Sequence, residues 1–340
     1  MVVQYLACLP TMNRPLASNS APVAIQALPS LYTVLVKMRL SLLVVMTSAV
    51  GFVMASTAPL NWLALLWTVL GTLLCACSAN ALNQVIENRR DAMMERTRNR
   101  PVPSGAMSPQ HGWVVALVLG YGGLCLLALL VNLPSAGLAL VTMLTYVLLY
   151  TPMKVRTTLN TLVGAVVGAI PPMIGWVAAT GTLTTGAWIL AAILFVWQLP
   201  HFLSLAWLYR EDYSQAGFKM LPGIPGGEHT TCEVVLLTTL LLIPLGLTAT
   251  MVGIAGVIYA FCSIAIGIAF TLPAIRFFRE RTRDSARRVF LTSLLYLPVL
   301  MGVMIADRGD GPPAGRTAIL TLQEVDAVNT PAPASRPDGS

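Results

Sequence analysis

Residues 83–105 read NQVIENRRDAMMERTRNRPVPSG and form the densest run of ionisable groups in a chain that is only 10% charged. Long apolar runs flank this stretch, at 60–82 before it and 113–133 after it. Because a helix needs about 20 apolar residues to cross a bilayer, each flanking run is long enough to span a membrane. The stretch is therefore predicted to be the polar connection between two transmembrane helices.

The rest of the chain repeats this alternation of apolar runs and polar connections. Its 340 residues are 56% hydrophobic and its mean hydropathy is +0.74, which is typical of a polytopic membrane protein and excludes a soluble domain. We predict an all-α fold because a helix satisfies its own backbone hydrogen bonds in lipid. About nine transmembrane helices are expected, at residues 40–58, 61–82, 112–131, 136–150, 159–179, 187–209, 234–251, 254–277 and 289–306.

The charged residues are distributed unevenly between the two sides of this membrane domain. The loops after the even-numbered helices carry most of the charge, whereas the loops after the odd-numbered helices are nearly uncharged. Because basic loops remain in the cytoplasm, this pattern predicts a cytoplasmic N-terminus and, with an odd number of helices, a C-terminus on the outer side. The same pattern accounts for the net charge of +7 without a nucleic-acid partner.

Two tails are expected outside the transmembrane domain, which is predicted to cover residues 31–306. Residues 1–30 contain one charged residue, Arg14, among several Pro, Ser and Asn residues, and this composition predicts a flexible N-terminal tail. Residues 307–340 are rich in Pro, Gly and Asp, which predicts a disordered C-terminal tail. Since residues 1–30 lack the Arg-rich, amphipathic pattern of a transit peptide, we favour a bacterial inner membrane over the mitochondrial inner membrane.

The quoted stretch arranges acidic and basic side chains in a regular way. Asn83, Glu87 and Asp91 are spaced four residues apart, so a helix places their oxygen atoms along one face. Carboxylate oxygens are typical ligands of Mg²⁺, which completes its shell with water and substrate phosphates. Nearby arginines such as Arg96 and Arg100 can bind phosphate oxygens in a bidentate manner. The alternative is a basic loop that only anchors the topology, which would explain the arginines but not the spaced acids.

Two further polar groups are expected to contribute to a site. Tyr150 and Lys154 are four residues apart, which places them on one helix face, and Arg156 follows. Lysine supplies a point charge for a phosphate and tyrosine supplies a hydroxyl group. His201 is an ionisable group at membrane depth, where such groups are functional candidates. The alternatives are ordinary interface anchors for the first group, and a histidine bonded to neighbouring backbone for the second.

These motifs together resemble the UbiA-type intramembrane prenyltransferases. The resemblance covers roughly residues 35–305 and starts with N-x3-E-x3-D at 83–91 and Y-x3-K at 150–154. Other motifs are similar to the haem-farnesylating branch of that family: R-T-x2-R-P at 96–101, W-Q-x-P-H-F at 197–202, D-Y-x2-A-G at 212–217 and M-L-P at 220–222.

The resemblance implies helices around a central cavity open to the cytoplasm, and transfer of a farnesyl group from farnesyl diphosphate to a vinyl group of haem B with Mg²⁺. It implies proteins that modify the haem product or assemble oxidases as candidate partners, besides the lipid bilayer. The implied metal ligands are Glu87, Asp91 and Asp212. The implied catalytic residues are Asn83, Glu87, Asp91, Lys154 and Asp212, and the implied substrate-binding residues are Arg96, Arg100, Tyr150, Arg156, His201 and Glu211.

The sequence departs from the wider family at the second acidic motif, which usually has two aspartates four residues apart. Leu208 stands four residues before Asp212, so only Asp212 and the adjacent Glu211 are left. This departure argues against the first alternative, a quinone- or chlorophyll-type prenyltransferase of the same family. The second alternative is a membrane transporter, which predicts repeat halves and ionisable residues in the middle of several helices. The helix interiors are instead almost free of charge.

Overall fold

The computed structural model describes residues 28–57 and 59–308, and its regular structure is almost entirely helical. In this part of the chain, nine helical segments are long and apolar enough to cross a membrane, which confirms the predicted fold class. The two predicted tails lie outside the described residues except at 28–30 and 307–308. The α-helices are α1 (Leu28–Leu35), α2 (Met38–Ala55), α3 (Trp62–Ile86), α4 (Asn88–Asp91), α5 (Pro109–Leu130), α6 (Leu133–Leu144), α7 (Thr151–Met153), α8 (Asn160–Thr180), α9 (Thr185–Leu208), α10 (Arg210–Gln215), α11 (Gly227–Met251), α12 (Val257–Glu280) and α13 (Arg283–Ala306).

The fourth membrane span is composite, whereas the sequence predicts a simple helix there. α6 passes directly into a π-helix at Thr145–Tyr150, and the π-helix passes into α7, so that one span covers Leu133–Met153. π-Helical turns are rare and occur frequently at functional sites. This one contains Tyr150 and lies just before Lys154, two of the residues that the sequence assigns to a site.

Three short helices, α1, α4 and α10, lie outside the membrane spans, and no sequence pattern predicts them as separate elements. α1 begins at Leu28, within the tail expected at residues 1–30, and is followed closely by α2. α4 begins one residue after the end of α3, at a break at Glu87, and α10 begins one residue after the end of α9, at a break at Tyr209. The polar motifs are therefore attached directly to the ends of long helices instead of lying in free loops.

Polar side chains mark the residues at which several membrane spans begin. Asn61, Ser108 and Asn132 each accept a hydrogen bond from the backbone N–H three residues further on. Thr282 and Ser285 form a reciprocal capping box at the start of α13. The first N–H groups of a helix have no partner within the helix, so these side chains satisfy donors that would otherwise be unpaired. They fix where α3, α5, α6 and α13 begin.

The spans surround an interior in which α8 and α9 are the most buried helices. In the most apolar part of each, 61% of the residues are buried, compared with 17–39% in the other spans. α8 packs against α2, α6 and α9, and α9 packs against α8, α11 and α13. By contrast, α2 and α13 touch each other only slightly. The packing of the helices around the interior is therefore loose between α2 and α13.

Two glycines allow the backbones of α2 and α8 to touch. A Cβ atom at Gly51 would overlap the carbonyl oxygen of Pro172, and a Cβ atom at Gly175 would overlap the carbonyl oxygen of Ser48. Small residues of this kind are what permits close helix packing in lipid, where no hydrophobic effect draws helices together. The crossing of α2 and α8 therefore depends on the absence of side chains at these positions.

The two residues after α13 are held at the end of the bundle opposite to residues 83–105. Asp307 accepts hydrogen bonds from the backbone N–H groups of Gly256 and Tyr259 at the start of α12, both at 2.6 Å. Arg308 donates a hydrogen bond to the carbonyl oxygen of Val53 near the end of α2 at 3.0 Å. Both residues therefore belong to the folded domain, although the sequence assigns them to a disordered tail.

We expect Gly175→Ala to destabilise the protein, because the added methyl group has to displace backbone and not a flexible side chain. Overpacking of this kind costs about 1–3 kcal/mol. Gly122→Ala in α5 is the matched control, since a Cβ atom there meets nothing within 4 Å. Thermal unfolding in detergent should show a lower Tm for Gly175→Ala only. Equal Tm values for the two variants would contradict the close backbone contact.

Candidate active site

Asn83, Glu87 and Asp91 are stacked at the junction of α3 and α4. Their exposed fractions are 1%, 5% and 1%, so all three side chains are buried. The backbone N–H of Glu87 donates to the carbonyl oxygen of Asn83, and that of Asp91 donates to the carbonyl oxygen of Glu87, each at 2.9 Å. Helical spacing thus continues across the junction. Buried carboxylates at this position require partners, because an unpaired buried charge is costly.

Each of the two carboxylates forms an ion pair with a cation from another segment. The Nζ atom of Lys154 lies 2.8 Å from Oε1 of Glu87 and donates a hydrogen bond to Oε2 at 3.0 Å. The Nη1 atom of Arg100 donates to Oδ2 of Asp91 at 2.6 Å. Oε1 of Glu87 is buried and, among the described residues, accepts no hydrogen bond of good geometry despite the nearby ammonium group. Both oxygens of Glu87 therefore face the same ammonium group.

The composite fourth span brings Tyr150 and Lys154 to these carboxylates. The rings of Tyr146 and Tyr150 stack with centroids 5.2 Å apart, and Nζ of Lys154 lies 4.6 Å from the centroid of the Tyr150 ring. Gly164 in α8 leaves room for the Tyr150 ring, since a Cβ atom there would lie 2.8 Å from a ring carbon. Burial disfavours the charge on Lys154, but the facing Glu87 carboxylate outweighs this effect and raises the pKa of Lys154 above its usual value. Lys154 is therefore a permanent cation beside Glu87.

Lys37 completes this polar cluster, although no sequence motif includes it. Its Nζ atom donates to Oδ1 of Asn83 at 2.8 Å, and Nδ2 of Asn83 donates to the Thr151 hydroxyl at 3.2 Å. Burial, together with nearby Arg100 and Lys154, lowers the pKa of Lys37 to about 7. Lys37 occupies the turn between α1 and α2 with a left-handed backbone (φ 47°), which is uncommon for a residue other than glycine. A lysine before an apolar run is also an ordinary topology anchor, so the sequence does not distinguish it.

The basic loop after α4 packs against α10. The guanidinium group of Arg96 lies 4.6 Å from the centroid of the Tyr209 ring and donates to the Tyr213 hydroxyl at 3.1 Å. Asp212 precedes Tyr213 in the chain and is partly buried. The Arg96 contacts therefore bring the second acidic motif to the same end of the molecule as the first.

The three carboxylates implied as metal ligands are not assembled into one group. Within residues 28–57 and 59–308, no set of three or more His, Cys, Asp or Glu side chains lies close enough to hold a metal ion. Glu87 and Asp91 are instead neutralised by Lys154 and Arg100. Because like charges repel, Asp212 requires a cation between it and the other two carboxylates before it can approach them. The three-ligand assignment therefore stays a prediction.

Two of the remaining residues singled out in the sequence lie at the surface of this end. Arg156 is exposed, as is Glu211. Glu211 and Arg210 line a cleft of about 610 Å³, which His229 and Arg281 border on the other side. Asp212 does not line this cleft, so Glu211 and Asp212 face different surroundings although they are adjacent in sequence.

His201 lies in a different, apolar environment. It lines a cavity of about 190 Å³ between α2, α8, α9 and α13. Its ring is stacked against Trp197, with centroids 5.2 Å apart, and against Phe290, with centroids 5.0 Å apart. Leu40 and Leu43 of α2 also line the cavity and are about half exposed on the outer surface of the bundle. The cavity therefore borders the lipid where α2 and α13 meet weakly.

Comparison with known proteins agrees with this geometry. The chain matches the UbiA prenyltransferase family over residues 44–297. It is 41% identical over 286 residues to a protoheme IX farnesyltransferase of Solibacter usitatus, covering 82% of this chain and 98% of that relative. It is 41% identical over 277 residues to the protein of the same name from Salinibacter ruber, covering 81% and 98% respectively.

A solved structure supports the fold independently of sequence similarity. A UbiA homologue from Archaeoglobus fulgidus bound to GPP and Mg²⁺ is 14% identical to this chain and superposes with a TM-score of 0.64, over 81% of this chain and 99% of that one. The family match extends over most of the transmembrane domain, and the two bacterial relatives are matched almost from end to end. The chain therefore belongs to the UbiA prenyltransferase family and is a membrane-embedded prenyltransferase.

Proposed function

We propose that this enzyme transfers the farnesyl group of farnesyl diphosphate to a vinyl group of haem B and so forms haem O. The observation that carries this proposal is the 41% identity, over 286 residues, to a relative named protoheme IX farnesyltransferase. The site geometry supports it in two ways. A cluster of lysines, arginines and carboxylates suits a diphosphate, and the apolar cavity at His201 suits an apolar part of a substrate.

Four cationic side chains are available to neutralise the diphosphate: Arg96, Arg100, Lys154 and Arg156. Lys37, with a pKa of about 7, becomes a fifth cation when a nearby anion favours its protonated form. Asn83 positions Lys37 by accepting its hydrogen bond, and the Tyr150 ring lies against Lys154 and orients its ammonium group. Because both lysines are at least partly removed from water, their attraction for an anion is stronger than that of exposed cations. Stabilising the diphosphate as it leaves is the largest contribution that such a site can make to the rate.

The residues present also fit a magnesium ion, because the carboxylates of Glu87 and Asp91 are buried oxygen donors one helical turn apart. Glu87, Asp91 and Asp212 would hold the ion, which when bound would act as a Lewis acid that neutralises the diphosphate oxygens. The two ion pairs would then exchange partners. Lys154 and Arg100 would turn from the carboxylates to the diphosphate, so the charge of each group stays compensated throughout.

The reaction is balanced by one water molecule. The bond between the farnesyl carbon and the diphosphate oxygen breaks, and both electrons leave with the diphosphate. The π electrons of the vinyl group form the new carbon–carbon bond to the allylic cation. Water then adds its oxygen to the remaining cationic carbon and loses a proton, which gives a hydroxyethylfarnesyl haem. The apolar cavity would protect the allylic cation from premature capture by water. Proteins that modify haem further or assemble oxidases would take the product.

Cells that produce the protein should contain a farnesylated haem that is absent from cells without it. The test is extraction of the haems, followed by chromatography and mass spectrometry, with a Glu87→Gln variant as the inactive control. Absence of the product from cells that hold folded protein and both substrates would contradict the proposed substrate. A prenylated quinone in its place would support the quinone-type alternative.

Glu87→Gln and Asp91→Asn should each lower turnover by about 100-fold or more, because each removes a negative charge from the proposed metal site. Chelation should abolish wild-type activity, and added Mg²⁺ should restore it. Glu95→Gln is the matched control, since Glu95 is an exposed acid in the loop after α4 and should be dispensable. Near-normal turnover by either of the first two variants would remove that carboxylate from the site.

We also propose that the transmembrane domain of residues 31–306 has its N-terminus in the cytoplasm, as the charged loops indicate. Reporter fusions within residues 92–110 and after Lys219 should then report the cytoplasm, and a fusion after Ala306 should report the outer side. A cytoplasmic reading after Ala306 would contradict the count of nine spans. In a bacterial cell this orientation places the diphosphate site at the cytoplasmic face of the inner membrane.

A further inference from the structure

Ser293 of α13 is fully buried and holds two side chains of α9 at once. The Nε1–H of Trp197 donates to the carbonyl oxygen of Ser293 at 2.9 Å, and Nδ1 of His201 lies 2.8 Å from the Ser293 hydroxyl oxygen. Trp197 and His201 are four residues apart, so they lie on the same face of α9. A single residue thus fixes both rings at the wall of the apolar cavity.

The hydrogen bonds around Ser293 determine which nitrogen of His201 carries the proton. The Ser293 hydroxyl has one proton, and it donates this proton to the carbonyl oxygen of Phe290 at 2.6 Å. The hydroxyl oxygen can therefore only accept from His201. It follows that Nδ1 of His201 is the protonated nitrogen and donates to Ser293. Nε2 then carries a free lone pair.

Aromatic rings pack against the imidazole of His201. Trp197 and Phe290 are stacked on it, with interplanar angles of 20° and 27°, and Phe202 is tilted against it with the centroids 5.5 Å apart. Within the described residues, Nε2 has no hydrogen-bond partner, and the ring lines the cavity. An imidazole held by an outer partner on Nδ1, with Nε2 unoccupied, is the arrangement by which proteins present histidine to a metal.

We infer that Ser293 is a positioning residue that holds His201 in the Nδ1-protonated form, so that Nε2 binds the iron of the porphyrin substrate. This inference rests on the proposed function, because the iron belongs to haem B. It specifies the role of His201, since a nitrogen with a lone pair can ligate iron but cannot donate a hydrogen bond. Iron ligation would orient the flat macrocycle beside an apolar cavity wall that offers it few other directional contacts.

The test is titration of the purified full-length protein with haem, monitored by absorption and by resonance Raman spectroscopy of the ferrous complex. Wild-type protein should show an iron–histidine stretching band, which His201→Ala should lose and added imidazole should partly restore as an iron–imidazole band. Ser293→Ala should weaken haem binding about 10-fold or more and shift the band, because the Nδ1 proton loses its acceptor. Ser293→Thr keeps the hydroxyl and should retain the wild-type band position.

Ser263→Ala is the matched control. Ser263 is equally buried and bonds back to its own helix, at 2.9 Å from the Ala260 carbonyl oxygen, but it lies on α12 away from His201.

A wild-type complex without the iron–histidine band, or Ser293→Ala with unchanged band and affinity, would overturn the inference. Farnesyl transfer to haem, measured in parallel, separates the two hypotheses. Product formation without histidine ligation refutes only the role of His201 and Ser293, whereas no transfer by wild-type protein refutes the proposed function as well.

Discussion

A charge that is buried at the edge of a bilayer has to be neutralised, and this constraint organises one end of the molecule. Glu87 and Asp91 are almost fully buried, so each requires a cation. The two cations come from different segments, since Lys154 follows α7 and Arg100 lies in the loop after α4. Lys37 adds a third segment through its hydrogen bond to Asn83. Charge pairing thus joins segments that the apolar helices alone would not align, and a diphosphate can enter the same network as a further anion.

The membrane fold could be predicted from the sequence almost completely, because a bilayer imposes a length and a composition on every span. The details that escaped prediction depend on contacts between helices. Nothing in residues 145–150 distinguishes a π-helix from an α-helix, since the wider turn is stabilised by its surroundings, including the space that Gly164 leaves for Tyr150. Similarly, Asp307 and Arg308 look like the start of a tail and are ordered only because their partners on α12 and α2 lie within reach.

The candidate site was partly predictable for the same reason. Glu87 and Asp91 could be identified because a regular spacing along one helix can be read directly from the sequence. Lys37 could not be identified, since its role arises from a contact with Asn83, 46 residues away. Ser293 was missed because a serine in an apolar helix usually bonds to its own backbone, and this one does so as well. Only the second contact, with His201 on a neighbouring helix, distinguishes it.

The helices α8 and α9 connect the polar cluster, where the diphosphate is proposed to leave, with the apolar cavity, where the porphyrin is proposed to bind. α8 carries Gly164 against Tyr150 at the polar cluster, and α9 carries His201 in the apolar cavity. The two helices are locked together by Gln198 of α9, which donates to the carbonyl oxygen of Ala165 and fills the space that Gly168 leaves open. Because both helices are largely buried, the distance between the polar cluster and the cavity is set by the rigid core and not by the loops. Such a fixed distance is what the proposed transfer of a farnesyl carbon from a leaving diphosphate to a flat acceptor requires, since small displacements of the reacting carbons are costly.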